Sequence, residues 1–291
     1  MTGAPARGPV DRVPPLALVL TGIVSVQFGA ALATTLFDEL GPGGAAFLRI
    51  GFAALIMGVA VRPWRRGYDR ATLRLAVWFG LTLGVMNLSF YEALDRIPLG
   101  IAVTIEFAGP LAVAVIGSRR PLDLVWVVLA ATGIVLLANP GGAHGLDTLG
   151  LAFAVVAGIC WAIYIVLAAH AGPRFRGADG VALAMVVAAL VPLGPGIAEG
   201  GTNLLAPGIL AIGLAVGFLS SAVPYTLETE ALRRIPRHVF SVLMSLEPAV
   251  AAFAGFLVLG QNLDAREVVA IGLVVAASAG ASRNAAAAPE A

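Results

Sequence analysis

Long apolar runs decide what this chain can become. Breaks at charged, glycine and proline clusters leave ten of them, at 15–37, 44–61, 73–93, 99–117, 122–138, 148–169, 181–198, 207–229, 238–259 and 267–282. A transmembrane helix needs about 20 mostly apolar residues, because each residue rises 1.5 Å and the hydrocarbon core is ~30 Å thick. The runs are continuously apolar rather than alternating with period two, which rules out a β-barrel. The longest loops, near Arg62–Thr72 and His170–Gly180, leave no room for an aqueous domain. Composition agrees: 12% of residues are charged, about half the share of a soluble domain. A soluble enzyme, a nucleic-acid binder and a disordered chain are excluded, and membrane lipid is the partner such a surface demands.

Arginine placement predicts orientation, since positive charge gathers on the cytoplasmic side. All 18 basic residues are Arg. With the N-terminus inside, the inner segments collect fifteen of them (Arg7, Arg12, Arg62, Arg65, Arg66, Arg70, Arg74, Arg119, Arg120, Arg174, Arg176, Arg233, Arg234, Arg237, Arg283), against Arg96 and Arg266 outside. Both termini are expected in the cytoplasm, as short tails over 1–14 and 283–291. The first run is too long for the apolar part of a signal peptide and more runs follow, so it is expected to stay uncleaved.

The chain partly repeats itself. Glu92-Ala-Leu-Asp-Arg-Ile-Pro98 recurs 138 residues later as Glu230-Ala-Leu-Arg-Arg-Ile-Pro236, and at the same offset Pro110 falls on Pro248. Gly80 and Gly84 match Gly213 and Gly217 at an offset of 133, Tyr91 matches Tyr225 at 134, and Gly22-Ile23 matches Gly158-Ile159. The changing offset predicts about four extra residues late in the eighth run. Five runs per copy is an odd number, so the second copy enters the membrane from the opposite side. The expected fold is therefore all-α and integral to the membrane, with ten transmembrane helices in two inverted five-helix repeats, 15–138 and 148–282. Secondary transporters are often built this way, the halves rocking about a site near the midplane.

Ionisable residues deep in such runs mark candidate sites, because a charge in hydrocarbon costs at least ~2.5–3.5 kcal/mol on insertion scales. Glu106 lies eight residues after Pro98 and fourteen before Arg120, roughly 12 and 21 Å along a helix. Glu247 is comparably deep in the ninth run. Pro110 frees the backbone carbonyl of Glu106 and Pro248 that of Met244, so acids beside freed carbonyls offer sites for an ammonium group or a proton. Each Glu is alternatively a helix–helix contact. Arg49, five residues into the second run, reads either as a carboxylate-binding group or as a side chain snorkelling near the outer interface. Gln27, Asn87, Tyr91, Tyr164 and Tyr225 could hydrogen-bond a small solute or join helices. Trp78, Trp126 and Trp161 are read as packing or interfacial residues.

No nucleophile elbow, zinc-protease motif or phosphate-binding loop occurs, so no enzyme, cofactor or ATP-driven pump is expected. The three His residues, His144, His170 and His238, are read as lying in loops or at a helix start, too scattered for a metal site, and Cys160 is a lone thiol. Transport would be passive or coupled to an ion gradient, where one charge crossing 100 mV is worth ~2.3 kcal/mol.

Several segments carry a family likeness: Ser25-Val-Gln-Phe-Gly-Ala30, Pro98-Leu-Gly-Ile-Ala-Val103, Glu106-Phe-x-Gly-Pro-Leu-Ala-Val-Ala114 and Arg119-Arg-Pro-Leu-Asp-Leu-Val-Trp126. The second half adds Cys160-Trp-Ala-Ile-Tyr-Ile165, Pro224-Tyr-x-Leu-Glu228 and Leu243-Met-Ser-Leu-Glu-Pro-Ala249. The chain resembles the drug/metabolite transporter superfamily of ten-helix carriers with two EamA-type repeats, and within it the bacterial threonine/homoserine exporters. That resemblance implies an inner-membrane exporter of small neutral amino acids, exchanging substrate for a proton. Where the family typically reads Leu-Gly-Glu, this chain has Leu259-Gly260-Gln261. A broad exporter of drugs or metabolites is the alternative in the same class; a non-transporting membrane scaffold or sensor is the alternative outside it. Oligomeric state is left open, a homodimer included.

Overall fold

Backbone in hydrocarbon must satisfy its own hydrogen bonds, and these runs do so as helices. The computed structural model describes residues 13–116, 121–138, 147–171, 174–176, 178–232, 234–235 and 237–286. Arg7, Arg12, Arg119, Arg120, His144, Arg233 and Pro236 lie outside the described residues, as do the side chains of Tyr225, Arg237, His238 and Arg283. No strand occurs among the described residues.

The helices are α1 (Pro15–Thr34), α2 (Phe37–Val61), α3 (Arg70–Leu94), α4 (Leu99–Glu106), α5 (Ala108–Ile116), α6 (Pro121–Ala138), α7 (Thr148–Ala171), α8 (Asp179–Leu190), α9 (Leu193–Gly200), α10 (Pro207–Gly217), α11 (Val223–Leu232), α12 (Arg237–Met244), α13 (Glu247–Leu259) and α14 (Ala265–Ala286). Five helical stretches are long and apolar enough to cross a membrane, and α8 with α9 makes a sixth if their 48° bend interrupts one span. Each apolar run of the sequence falls on one helix or on consecutive helices.

Boundaries differ from expectation where special residues intervene. The second helix starts at Phe37, not 44, because it runs on through a bend at Gly41 (φ +66°) and Pro42. The seventh run breaks at Val191–Pro192, where proline cannot donate to the preceding turn. The last helix reaches Ala286 rather than 282, its end rich in alanine, the best helix former. His170 lies in the last turn of α7, not in a loop, its ring nitrogen 2.8 Å from the Val166 carbonyl.

Packing pairs the first half of the chain with the second, mostly in antiparallel register, though α3 on α8 and α2 on α10 run parallel. On α2, Gly43 meets Glu199 and Phe47 meets Gly196, while Ile50 and Ala54 cluster with Met185 and Ala188 further along. α4 runs against α13, with Leu99 beside Gly255 and Gly100 against Ala252. α6 runs against α14, Trp126 at Gly280 and Gly133 at Ala270. α3 lies along α7, Phe79 stacking on Tyr164 at 5.1 Å. α1 lies along α11 and the π-helical turn Phe218–Ala222 before it, Gly22 facing Glu228 and Gly29 facing Ser220. The Gly-x-x-x-Gly pairs do what small residues do, letting backbones approach. Gly80 and Gly84 lie against carbonyls of α8, and Gly213 and Gly217 against α2.

Candidate functional site

Two interrupted helices organise the centre. α4 ends at Glu106 and α5 begins at Ala108; α12 ends at Met244 and α13 begins at Glu247. Extending the α4–α13 register from Gly100–Ala252 brings Glu106 to the level of Glu247. Phe107 and Ser245, the residues at the breaks, are 138 positions apart, the offset of the repeated block. The Glu106 carbonyl freed by Pro110 is not open to a solute: a side chain on Gly158 of α7 would begin 2.9 Å from it, and Gly109 presses on the Gly158 carbonyl.

Around these breaks lies a cavity of about 480 Å³, within the ~300–1,000 Å³ typical of small-molecule sites. Its lining includes Glu106, Glu247, Arg49, Gln27, Asn87 and Tyr164, which the sequence had singled out from six different runs, and the kink residue Pro110. Glu106 and Glu247 are 7% and 6% exposed, so their charge is sheltered from bulk water. Arg49 lines the cavity; α2 starts early enough to set it mid-helix, its guanidinium 5.5 Å from the Tyr91 ring centre. Tyr91 is fully buried beneath Arg49, packed against Phe37 and Phe90, and is not among the lining residues. Asn87 donates its side-chain amide to the Leu83 carbonyl at 2.8 Å, leaving its own carbonyl oxygen for other partners. Pro248 is buried at the start of α13, where its missing N–H is tolerated.

Three lining groups escaped the sequence. Glu228 sat near the end of its apolar run and was not singled out as a site residue, yet it lines the cavity and its Cγ packs against Gly22. Ser220 is 4% exposed, lines the cavity, and has no hydrogen-bond partner for its hydroxyl among the described residues. It lies on the π-helical turn, whose Leu219 carbonyl is satisfied from α1 by the Ser25 hydroxyl at 2.7 Å. The slipping repeat offset was the available signal for that turn, since π-turns arise where a helix holds one residue too many. Trp161 also lines the cavity, its ring edge-on to Phe107 at 5.1 Å, so it is more than packing; Trp78 is exposed and Trp126 packs on Gly280.

Polar ties hold the two ends of the α2 seam. At one end Gly43 donates its N–H to Glu199 at 2.7 Å, and Asn203 donates to the Glu39 carbonyl at 3.2 Å. At the other, fully buried Asp179 accepts from Arg66 at 2.7 Å and from the Tyr68 hydroxyl. That hydrogen bond with Asp179 pushes the Arg66 guanidinium pKa up from its ordinary value. Gln261 accepts from the Leu99 N–H at 3.0 Å, tying the α4 start to the segment after α13. Among the described residues no group of His, Cys, Asp and Glu is disposed to hold a metal ion.

Comparison with known proteins places this architecture. The chain is 41% identical over 269 residues to the threonine/homoserine exporter RhtA of Escherichia coli (strain K12), spanning 92% of this chain and 91% of that one. The chain belongs to the EamA-like transporter family. Residues 148–283 match that family directly. The RhtA of Salmonella typhimurium (strain LT2) is likewise 41% identical, with the same coverage. An uncharacterized transporter of Archaeoglobus fulgidus is 25% identical over 90% of this chain and 92% of its own. A crystal structure 19% identical shares the fold, with a TM-score of 0.62 over 93% of this chain and 98% of that one. The protein is thus a transporter of small molecules and not an enzyme, and a multi-pass protein of the bacterial inner membrane.

Proposed function

We propose that this EamA-family protein exports small neutral amino acids of the threonine/homoserine type across the inner membrane, in exchange for protons, by alternating access between two inverted five-helix halves. The observation that carries the substrate class is the pairing of charge in one cavity: Arg49 on one side and Glu106 and Glu247 at the two helix breaks. A guanidinium fork suits a carboxylate and an acid suits an ammonium group, which together describe a zwitterion. The identity to RhtA proteins along nine-tenths of the chain supports the same class.

The inverted repeat draws support from the packing. α2 with α8–α9 and α6 with α14 pair segments from corresponding places in the two copies, α4 with α13 pairs segments of the corresponding fourth and ninth runs, and each pair is antiparallel. A two-fold axis lying in the membrane plane produces that pattern; an axis along the membrane normal would make such pairs parallel. The remaining contacts also exchange: α3 on α8 has its counterpart in α10 on α2, each through the repeat-related glycines. Cytoplasmic termini remain the orientation that the arginine distribution favours.

The aromatic wall of Phe90, Phe107, Trp161, Tyr164 and Phe240 favours a second reading, a broader exporter of metabolites with apolar parts. A scaffold role would not require charged groups gathered around an open cavity. Efflux of labelled threonine from preloaded vesicles, with and without a proton gradient, tests the proposal. Export stimulated by the gradient and competed by homoserine supports it; no threonine movement overturns it.

A further inference from the structure

Charge balance in the cavity leaves something unaccounted for by a zwitterionic substrate. Among the described residues its lining carries three carboxylates, Glu106, Glu228 and Glu247, against the one guanidinium of Arg49. A neutral amino acid brings one positive and one negative group, so it leaves that imbalance as it found it. Sheltered carboxylates need a countercharge, since an unpaired ion away from water is costly. A cation other than the substrate must therefore occupy this cavity during part of the cycle.

We propose that Glu228 is where that cation, a proton, binds, apart from the substrate clamp of Arg49 and Glu106; this rests on the proton-exchange reading above. Position separates the two. Glu228 rises from α11 against α1, a helix with no ionisable residue from Pro15 to Thr34. Its Cγ and Oε1 lie 3.6 and 3.7 Å from where a Gly22 side chain would start, with the Pro224 backbone behind. On the α1 side this carboxylate therefore meets no polar side chain at Gly22. A metal ion would need several more oxygens and an ammonium group three acceptors; a proton needs one oxygen.

The charged groups facing Glu228 are few. Glu247 from α13 and Glu106 from α4 share the cavity, with Arg49 from α2 across it. On its own helix Glu230 is paired with Arg234 at 2.8 Å, and Arg234 also donates to the Val13 carbonyl. The α12 side chains Arg237 and His238 lie outside the described residues. Glu228 thus sits next to Glu247 and the substrate site without belonging to the clamp, close enough for its protonation to change what the other acids hold.

The test uses the full chain in proteoliposomes and separates exchange from coupling. Labelled-for-unlabelled threonine exchange without a gradient reads the clamp; gradient-driven transport and substrate-induced pH change in the lumen read the proton. In Glu228→Gln, exchange survives within about fivefold, the gradient no longer accelerates transport and the pH signal disappears, while Glu228→Asp restores both. Glu106→Gln loses exchange and gradient-driven transport together. Full gradient stimulation in Glu228→Gln overturns the proposal, as does loss of exchange equal to that of Glu106→Gln. Wild-type exchange with no gradient response also overturns it while leaving the exporter reading intact; absence of wild-type threonine exchange sinks the exporter reading itself.

Discussion

The two helix breaks stand at corresponding positions but hold their acids on opposite sides. In the first, Glu106 closes α4, where helix carbonyls gather negative potential; in the second, Glu247 opens α13, where free N–H groups favour an anion. Such end effects are worth ~0.3–1 kcal/mol, and up to about 2 in partly buried sites. Glu247 is thus steadied by its own helix, whereas Glu106 depends on Arg49 across the cavity or on what the cavity binds. The acid that its backbone supports least is the better placed to respond to a ligand.

That contrast can be broken at several points. The largest effect is expected for Glu106→Gln, which should reduce threonine efflux at least about 100-fold with the protein still folded by thermal melting in detergent. Glu247→Gln should cost about tenfold less; equal losses would show that the helix ends do not distinguish the two acids. Next come the repeat-related glycines. Gly158→Ala drives a methyl to 2.9 Å from the Glu106 carbonyl and should cost ~1–3 kcal/mol as overpacking, lowering the melting temperature and the transport rate. Gly22→Ala meets Glu228 at an ordinary 3.6 Å and should stay within about 0.5 kcal/mol of wild type. The smallest change is expected for Pro248→Ala, less than about 1 kcal/mol, because the start of α13 tolerates proline without requiring it.

The sequence reported charge out of place well and geometry poorly. Glu106 and Glu247 announced themselves as acids deep in apolar runs beside prolines, and the cavity does gather there. Arg49 was left between two readings because Asp38, Glu39, Gly41 and Pro42 look like a loop, yet the helix bends through them and sets Arg49 mid-helix at the cavity. Tyr91 drew notice as a polar aromatic, but which face of α3 it occupies is a matter of phase and packing, and it props Arg49 from below. Glu228 was hidden because a run's end is blurred by several residues, enough to leave the depth of an acid near it undecided. The crowded backbone crossing of Gly109 and Gly158 joins residues 49 positions apart, and no local pattern foretells it.

The seam of α2 with α8 and α9 is stapled at both extremities, by Glu199 on Gly43 and by Asp179 with Arg66 and Tyr68. Under the alternating-access reading proposed above, a joint held top and bottom is the natural axle, and the fractured helices are the parts left to swing.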